Sequence, residues 1–186
     1  MKADQYHLSS RENIFLLLLV TLAVAPHFIH LNILITLFYL ATAVLRLLAI
    51  WRPGLLPGRL LLFLFTVVGF ANVLEHYPLL FGKSAGIALL VSMLGLKLLE
   101  LRKRRDLYVI VFLGYFVIVT QFFFNQEMVM AGYLFLVVAG LTTLLVEASR
   151  SHSSNFPLRS FAVSLSLLLQ SLPIMLALFL FFPRFS

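Results

Sequence analysis

The chain has 186 residues, of which 62% are hydrophobic and 11% charged. Soluble domains carry roughly 25% charged residues, so this composition excludes an ordinary water-soluble domain and indicates an integral membrane protein. The formal net charge of +7 does not indicate a nucleic-acid-binding protein, because the basic residues lie in short connections between apolar runs.

Seven apolar runs predict an all-α fold, a polytopic transmembrane helix bundle. They cover residues 14–30, 33–51, 60–77, 85–99, 107–124, 128–146 and 161–182. Only the letters PHFIHLN separate the first two runs. An alternative is therefore a short re-entrant hairpin followed by five full crossings, which leaves both termini on the same sides as seven spans would.

The N-terminal segment also has some features of a secretory signal peptide. Lys2 and Arg11 precede an apolar stretch, and Ala23 and Ala25 form a cleavage-like site. Proline follows that site directly, and another hydrophobic run begins at once. We therefore predict that the first helix is retained.

The Lys and Arg residues are divided unequally between the two sides that seven spans would create. One side holds only Lys83 and Arg184. The other side holds the remaining twelve: Lys2, Arg11, Arg46, Arg52, Arg59, Lys97, Arg102, Lys103, Arg104, Arg105, Arg150 and Arg159. Because positive residues stay cytoplasmic, we predict a bacterial inner-membrane protein with a cytoplasmic N-terminus and a periplasmic C-terminus.

The densest group of positive charge lies between the fourth and fifth runs. It comprises Lys97, Arg102, Lys103, Arg104 and Arg105. We interpret this basic cluster as a determinant of topology whose partners are the bilayer and its anionic lipid headgroups. A docking role for another protein is the alternative.

Local charge spacing around the basic cluster predicts a helix end. Glu100 and Arg104 are four residues apart, as are Arg102 and Asp106, which suits charge pairing on a helix. Asp106 is placed to cap the fifth helix, and Lys97 lies where its ammonium can extend to the headgroups.

Small residues predict where helices approach one another closely. In the fourth run they are Ala85, Ala88, Ser92 and Gly95, and in the sixth Ala131, Gly132, Ala139 and Gly140. Such residues allow another helix to come near the backbone. The amides Asn72, Gln121 and Gln170 are expected to form hydrogen bonds between helices. Every Asp, Glu, Lys and Arg lies near a span end, which disfavours an ion-coupled transporter.

Polar residues on the predicted outer side offer weak candidates for a site. They are Glu75, His76 and Glu127, accompanied by His27, His30, Asn32, Asn125 and Gln126. Histidine and glutamate are zinc ligands, but these residues do not have the spacing of a zinc motif. We interpret them as hydrated loop groups and helix caps, and we predict no metal, no cofactor and no catalytic residue in the chain.

Four stretches of the chain resemble a known family. They are LGLKLLELRKRRDLYVIVFLGYFVIVTQFFFNQ (residues 94–126), WRPGLLPGRLLLFLF, GKSAGIALLVSMLGLKLLE and the final LFLFFPRFS. The chain resembles the N-terminal membrane region of the bacterial TgpA-type transglutaminase-like proteins over nearly all of its length. The most specific similarity lies in residues 94–126 and in the C-terminal Phe-Pro-Arg.

The resemblance implies a protein-glutamine gamma-glutamyltransferase whose catalytic domain is periplasmic and carries a Cys-His-Asp arrangement. The chain contains no cysteine, so the family's nucleophile has no counterpart here. We therefore expect residues 1–186 to be an N-terminal transmembrane domain that anchors a catalytic domain attached after residue 186. Whether the chain is an enzyme is left open, because the activity would belong to the full-length protein.

Two alternative functions remain open. One is a stand-alone membrane scaffold that recruits partners through Arg102–Arg105, and the other is a membrane enzyme or a lipid- or metal-handling membrane protein that uses the outer Glu and His residues. The sequence leaves the oligomeric state undetermined.

Overall fold

The computed structural model describes residues 9–77, 82–125, 127–149 and 158–181. They form seven α-helices: α1 (Ser10–Val24), α2 (Ile33–Trp51), α3 (Arg59–His76), α4 (Lys83–Glu100), α5 (Arg104–Gln121), α6 (Met128–Ser149) and α7 (Leu158–Phe181). Short 3₁₀ turns cover Ala25–Ile29 and Pro53–Leu55. These ranges contain no strand, so the predicted all-α class is confirmed.

Two helix starts follow from local side-chain chemistry. At α1, the hydroxyl of Ser9 accepts from the backbone N–H of Arg11, and the carboxylate of Glu12 accepts from the N–H of Ser9 at 2.7 Å. At α2, Oδ1 of Asn32 accepts from the N–H of Leu34 at 2.9 Å. Both arrangements satisfy donors that the first turn of a helix leaves without a carbonyl partner.

Successive helices run in opposite directions, which gives the bundle two polar ends. At one end, α1 begins beside the last turns of α2, where Arg46 donates to Asn13. At the same end, Arg102 reaches the α2–α3 connection at Pro57. We call this the basic end.

The other end joins the last turns of α1, α3 and α5 to the first turns of their successors. His27 bonds to the carbonyl of Val117, and the N–H of Asn32 donates to the hydroxyl of Tyr77. We call this the histidine end.

Helix α4 lies at the centre of one half of the bundle. It packs against α2, α3 and α5, while α1 packs against α2, α5 and α6, and α7 packs against α6. The predicted small-residue face of α4 is confirmed, because Ala85, Ala88, Ser92 and Gly95 are all buried. A Cβ atom at Gly95 would lie 2.5 Å from Oγ1 of Thr42 on α2.

The corresponding prediction for α6 is confirmed only in its second half. Ala139 and Gly140 are buried, and a Cβ atom at Gly140 would lie 2.5 Å from Cδ2 of Leu19 on α1. Gly132, by contrast, is exposed and has nothing within 4 Å of an added Cβ. Only the half of α6 nearer the basic end is therefore packed closely enough to require small residues.

Four described segments are long and apolar enough to cross a bilayer. They are Ser10–Ile29, Ile33–Trp51, Arg59–His76 and Met128–Ser149. They include the first two apolar runs, for which the alternative prediction was a short re-entrant hairpin. Helices α4 and α5 are interrupted by charge near their ends, since Lys97 and Glu100 lie in the last turn of α4 and Asp106 in the first turn of α5.

We expect Gly95→Ala to destabilise the bundle by about 1–3 kcal/mol, because the new methyl group would collide with Thr42 and force α2 away from α4. Thermal unfolding in detergent, followed by circular dichroism, measures the change. The matched control is Gly86→Ala in the same helix, where nothing lies within 4 Å of the added Cβ. Equal melting temperatures for both variants would contradict the close packing at Gly95.

Candidate functional site

The exposed part of the basic cluster lies on the turn between α4 and α5. Arg102 and Lys103 are exposed on this turn, and Arg105 is exposed in the first turn of α5. Nη2 of Arg102 also donates to the carbonyl oxygen of Pro57 at 3.5 Å, which ties this turn to the α2–α3 connection. The positive charge therefore lies at the surface of the basic end, where it can meet anionic groups.

Lys97 is paired with a neighbour in its own helix. Its ammonium donates to the carboxylate of Glu100, and both side chains are partly exposed. Because α4 ends at Glu100 and α5 begins at Arg104, the continuous helix on which a Glu100–Arg104 spacing argument depends is absent. The predicted helical pairing was therefore based on the wrong local structure.

Asp106 organises the start of α5. Its carboxylate accepts from the backbone N–H of Lys103 at 2.9 Å and from that of Arg102 at 3.1 Å. Its other oxygen lies 3.9 Å from Nε of Arg105. Asp106 thus stabilises the helix start, as predicted, but from within the first turn, since the capping position belongs to Lys103.

A second arginine at the basic end, Arg46, is buried. Only 7% of the residue is exposed, and its Nη2 donates to Oδ1 of Asn13 at 2.7 Å, which joins α2 to α1. The amide of Asn13 donates in turn to the carbonyl of Ser9 at 3.3 Å. The sequence reasoning missed this pair. The one available signal was that Arg46 lies more than a helical turn before the end of α2 at Trp51.

A buried carboxylate links the last two helices. Glu147 near the end of α6 is 7% exposed and accepts from the hydroxyl of Ser160 on α7 at 2.6 Å. Ser160 is itself buried. This pair holds the start of α7 against α6, and it too was not predicted.

At the histidine end, His27 is fully buried in the 3₁₀ turn that follows α1. Its Nε2 lies 2.9 Å from the carbonyl oxygen of Val117 and 3.4 Å from Oγ1 of Thr120, both on α5. Its Nδ1 has no hydrogen-bond partner among the described residues. His27 therefore joins α1 to α5, whereas the sequence reasoning placed it among hydrated loop groups.

Three side chains contact the ring of Phe124 at the same end. His30 stacks on it with ring centroids 4.4 Å apart, and His27 meets it edge-on at 6.0 Å. The ammonium of Lys83, at the start of α4, lies 5.4 Å from the ring centroid. These contacts connect α1, α4 and the α5–α6 loop around one aromatic ring.

The predicted candidates Glu75, His76 and Glu127 lie at the same end but make local contacts. Glu75 is exposed in the last turn of α3, and Nδ1 of His76 lies 2.9 Å from the carbonyl oxygen of Asn72 in its own helix. Glu127 precedes α6, where its N–H donates to Oδ1 of Asn125. Within the described ranges, no three His, Asp or Glu side chains meet as metal ligands.

The amides that were predicted to bond between helices differ in their burial. Gln121 is buried, yet its Oε1 has no partner in the described part of the chain, and the same holds for Oδ1 of Asn72. Gln170 is exposed on α7. Gln126, another polar residue of the predicted outer side, lies outside the described residues.

Comparison with known proteins gives the family of the chain. A family model described as the TgpA N-terminal domain matches residues 15–186. The chain belongs to this family. No solved structure matches it.

One curated relative carries a functional name. The chain is 33% identical, over 171 residues, to a protein of Pseudomonas aeruginosa named protein-glutamine gamma-glutamyltransferase. The match covers 92% of this chain and 26% of the relative. The chain thus spans about a quarter of the relative's length.

We expect His27→Ala to destabilise this TgpA N-terminal domain by about 2–4 kcal/mol, since it removes the contact with Val117 and leaves a cavity between α1 and α5. Thermal unfolding in detergent measures the loss. His30→Ala is the control, because His30 is exposed and its stacking on Phe124 contributes only about 0.5–1.5 kcal/mol. A larger effect at His30 than at His27 would contradict the structural role assigned to His27.

Proposed function

We propose that this chain is the membrane-anchoring domain of a transglutaminase-like protein and that it positions a downstream catalytic domain in the periplasm. The observation that carries the proposal is the family match over residues 15–186, together with the name of the relative, of which the chain covers only 26%. An acyl-transfer reaction on glutamine would then belong to the part of the protein outside residues 1–186.

The chemistry of the chain supports this division of labour. Transglutamination needs a nucleophile that attacks the glutamine amide, releases ammonia and then leaves when an amine takes the acyl group; a thiolate does both. The chain contains no cysteine. At the histidine end, the imidazole of His27 and the ring of Phe124 connect helices to one another. This end is therefore suited to hold the bundle together beneath a second domain.

The orientation that we propose is N-terminus in the cytoplasm and C-terminus in the periplasm of a bacterial inner membrane. Two features support it. The helices alternate in direction, so that α1 begins and α7 ends at opposite ends of the bundle. Arg52, Arg102, Lys103 and Arg105 are all exposed at the end where α1 begins, and positive charge of this density stays on the cytoplasmic side.

The intact mass of the protein expressed from its native locus tests the anchor function. We expect a mass well above the 21.1 kDa of this chain, because the proposal requires a catalytic domain joined to it. Fusing a peptide tag ahead of Met1 identifies the product without altering its C-terminus. A mass equal to that of residues 1–186 would rule out the anchoring role, and a larger product that lacks glutamine acyl-transfer activity would rule out the proposed chemistry.

Single cysteines introduced into the 186-residue chain test the orientation, since the unmodified chain contains none and provides the blank. Gly54 lies at the basic end and Gly82 at the histidine end, and both are exposed. We expect a membrane-impermeant maleimide to label Gly82→Cys in intact spheroplasts and to label Gly54→Cys only after lysis. The reverse pattern would show that the basic end faces the periplasm.

A further inference from the structure

Arg46 carries a buried positive charge that has no counter-ion in the described part of the chain. The residue is 7% exposed, and its Nη2 donates to a neutral amide, that of Asn13. Its Nε has no hydrogen-bond partner among the described residues. Within the same ranges, the ion pairs join Lys97 to Glu100 and Arg105 to Asp106 instead.

The surroundings of Arg46 increase the need for an anion. Arg102, on the α4–α5 turn, is close enough to act on Arg46 electrostatically, and it has the same sign. Removing a guanidinium from water is strongly unfavourable unless an opposite charge and hydrogen bonds compensate for the lost hydration. The site therefore has a hydrogen-bond donor without an acceptor and an excess of positive charge. An anion would supply both the acceptor and the opposite charge.

An apolar groove lies about one helical turn from the Asn13–Arg46 pair. It lies between α1 and α2, has a volume of about 430 Å³, and is lined by Ile14, Leu18, Leu22, Leu40, Val44 and Leu47 among others. Leu17, in the lining, lies one turn after Asn13 on α1, and Ala43, also in the lining, lies about one turn before Arg46 on α2. One end of the groove therefore lies close to the buried charge, which itself is not part of the lining, and the groove extends from there toward the histidine end.

We infer that Arg46 and the α1–α2 groove form a binding site for one anionic phospholipid, with the phosphate at Arg46 and an acyl chain in the groove. From Ile14 to Leu22 the groove extends about 12 Å along α1, at a rise of 1.5 Å per residue. One leaflet of the hydrocarbon core is about 15 Å thick. The groove therefore covers most of the depth of one leaflet, enough to hold the greater part of an acyl chain.

A phospholipid fits this site better than a second helix does. A helix from another copy of the chain would fill the groove with apolar side chains and leave Arg46 without an anion. A phosphate accepts hydrogen bonds from a guanidinium in a geometry that arginine matches well. Anionic lipids are also enriched in the leaflet that positively charged segments face.

The test uses the full-length protein expressed from its native gene, purified in mild detergent and incubated with phosphatidylglycerol or phosphatidylcholine. Native mass spectrometry counts the lipids that stay bound. We expect Arg46→Gln to lower retention of phosphatidylglycerol about fivefold and to leave phosphatidylcholine unchanged. Arg52→Gln is the matched control, because Arg52 is an exposed arginine at the same end of α2, and it is expected to retain phosphatidylglycerol normally.

Two further variants separate the parts of the proposal. Asn13→Asp keeps the size of the side chain and places a carboxylate at Arg46, so it should reduce phosphatidylglycerol retention as Arg46→Gln does, even where Arg46→Gln fails to fold. Ala43→Phe fills the groove and should reduce retention of both lipids. Wild-type retention by Asn13→Asp would overturn the headgroup site, and wild-type retention by Ala43→Phe would overturn the acyl-chain site. An equal loss in Arg52→Gln would show diffuse surface charge in place of a site.

Discussion

The close approach of α2 and α4 at Gly95 determines how the rest of the bundle is arranged. Because α4 contacts α2, α3 and α5, any increase in its diameter would move three helices at once. Gly95 admits the hydroxyl of Thr42 at a distance that no Cβ atom would allow, and Thr42 itself is held by a 2.7 Å bond to the carbonyl of Tyr39. In a bilayer the lipid tails are as apolar as the helices, so association depends on such close packing more than on hydrophobic burial.

The central position of α4 also explains its composition. Lys83 at its start and the Lys97–Glu100 pair in its last turn shorten the apolar stretch that lipid could accommodate. Neighbouring helices cover much of its surface, so fewer of its residues must match the hydrocarbon. Helix α3 differs, because its long apolar side chains, such as Phe63 and Val68, are mostly exposed. Its surface must therefore be apolar over most of its length. The two helices therefore differ in sequence because neighbouring helices cover most of α4, whereas the apolar side chains of α3 lie on the outer surface of the bundle.

The helices and the small-residue face of α4 could be predicted from local pattern, because run length, charge placement and residue size act within one helix. The contacts at the two ends could not. His27 and Val117 are 90 residues apart in the sequence, and Arg46 and Asn13 are 33 residues apart. The sequence around each residue does not indicate which residue it will contact. His27 illustrates the difficulty. A histidine beside a proline at the end of a predicted span suggests a solvated loop residue, and only its contact with α5 shows that it is buried. The predicted pairing of Glu100 with Arg104 was wrong for a different reason. The four-residue spacing was counted as if the chain were helical there, but a turn separates α4 from α5.

The proposed anchoring role would need only apolar helices and exposed positive charge on one side. Arg52, Arg102 and Lys103 supply that charge without losing their hydration. Arg46 contributes the same formal charge but is removed from water, and a neutral amide cannot compensate for that desolvation. Orientation by charge therefore does not account for Arg46. A ligand that brings a negative charge and an apolar chain to the α1–α2 groove does, and it would couple the position of the first two helices to the lipid composition of the leaflet around them.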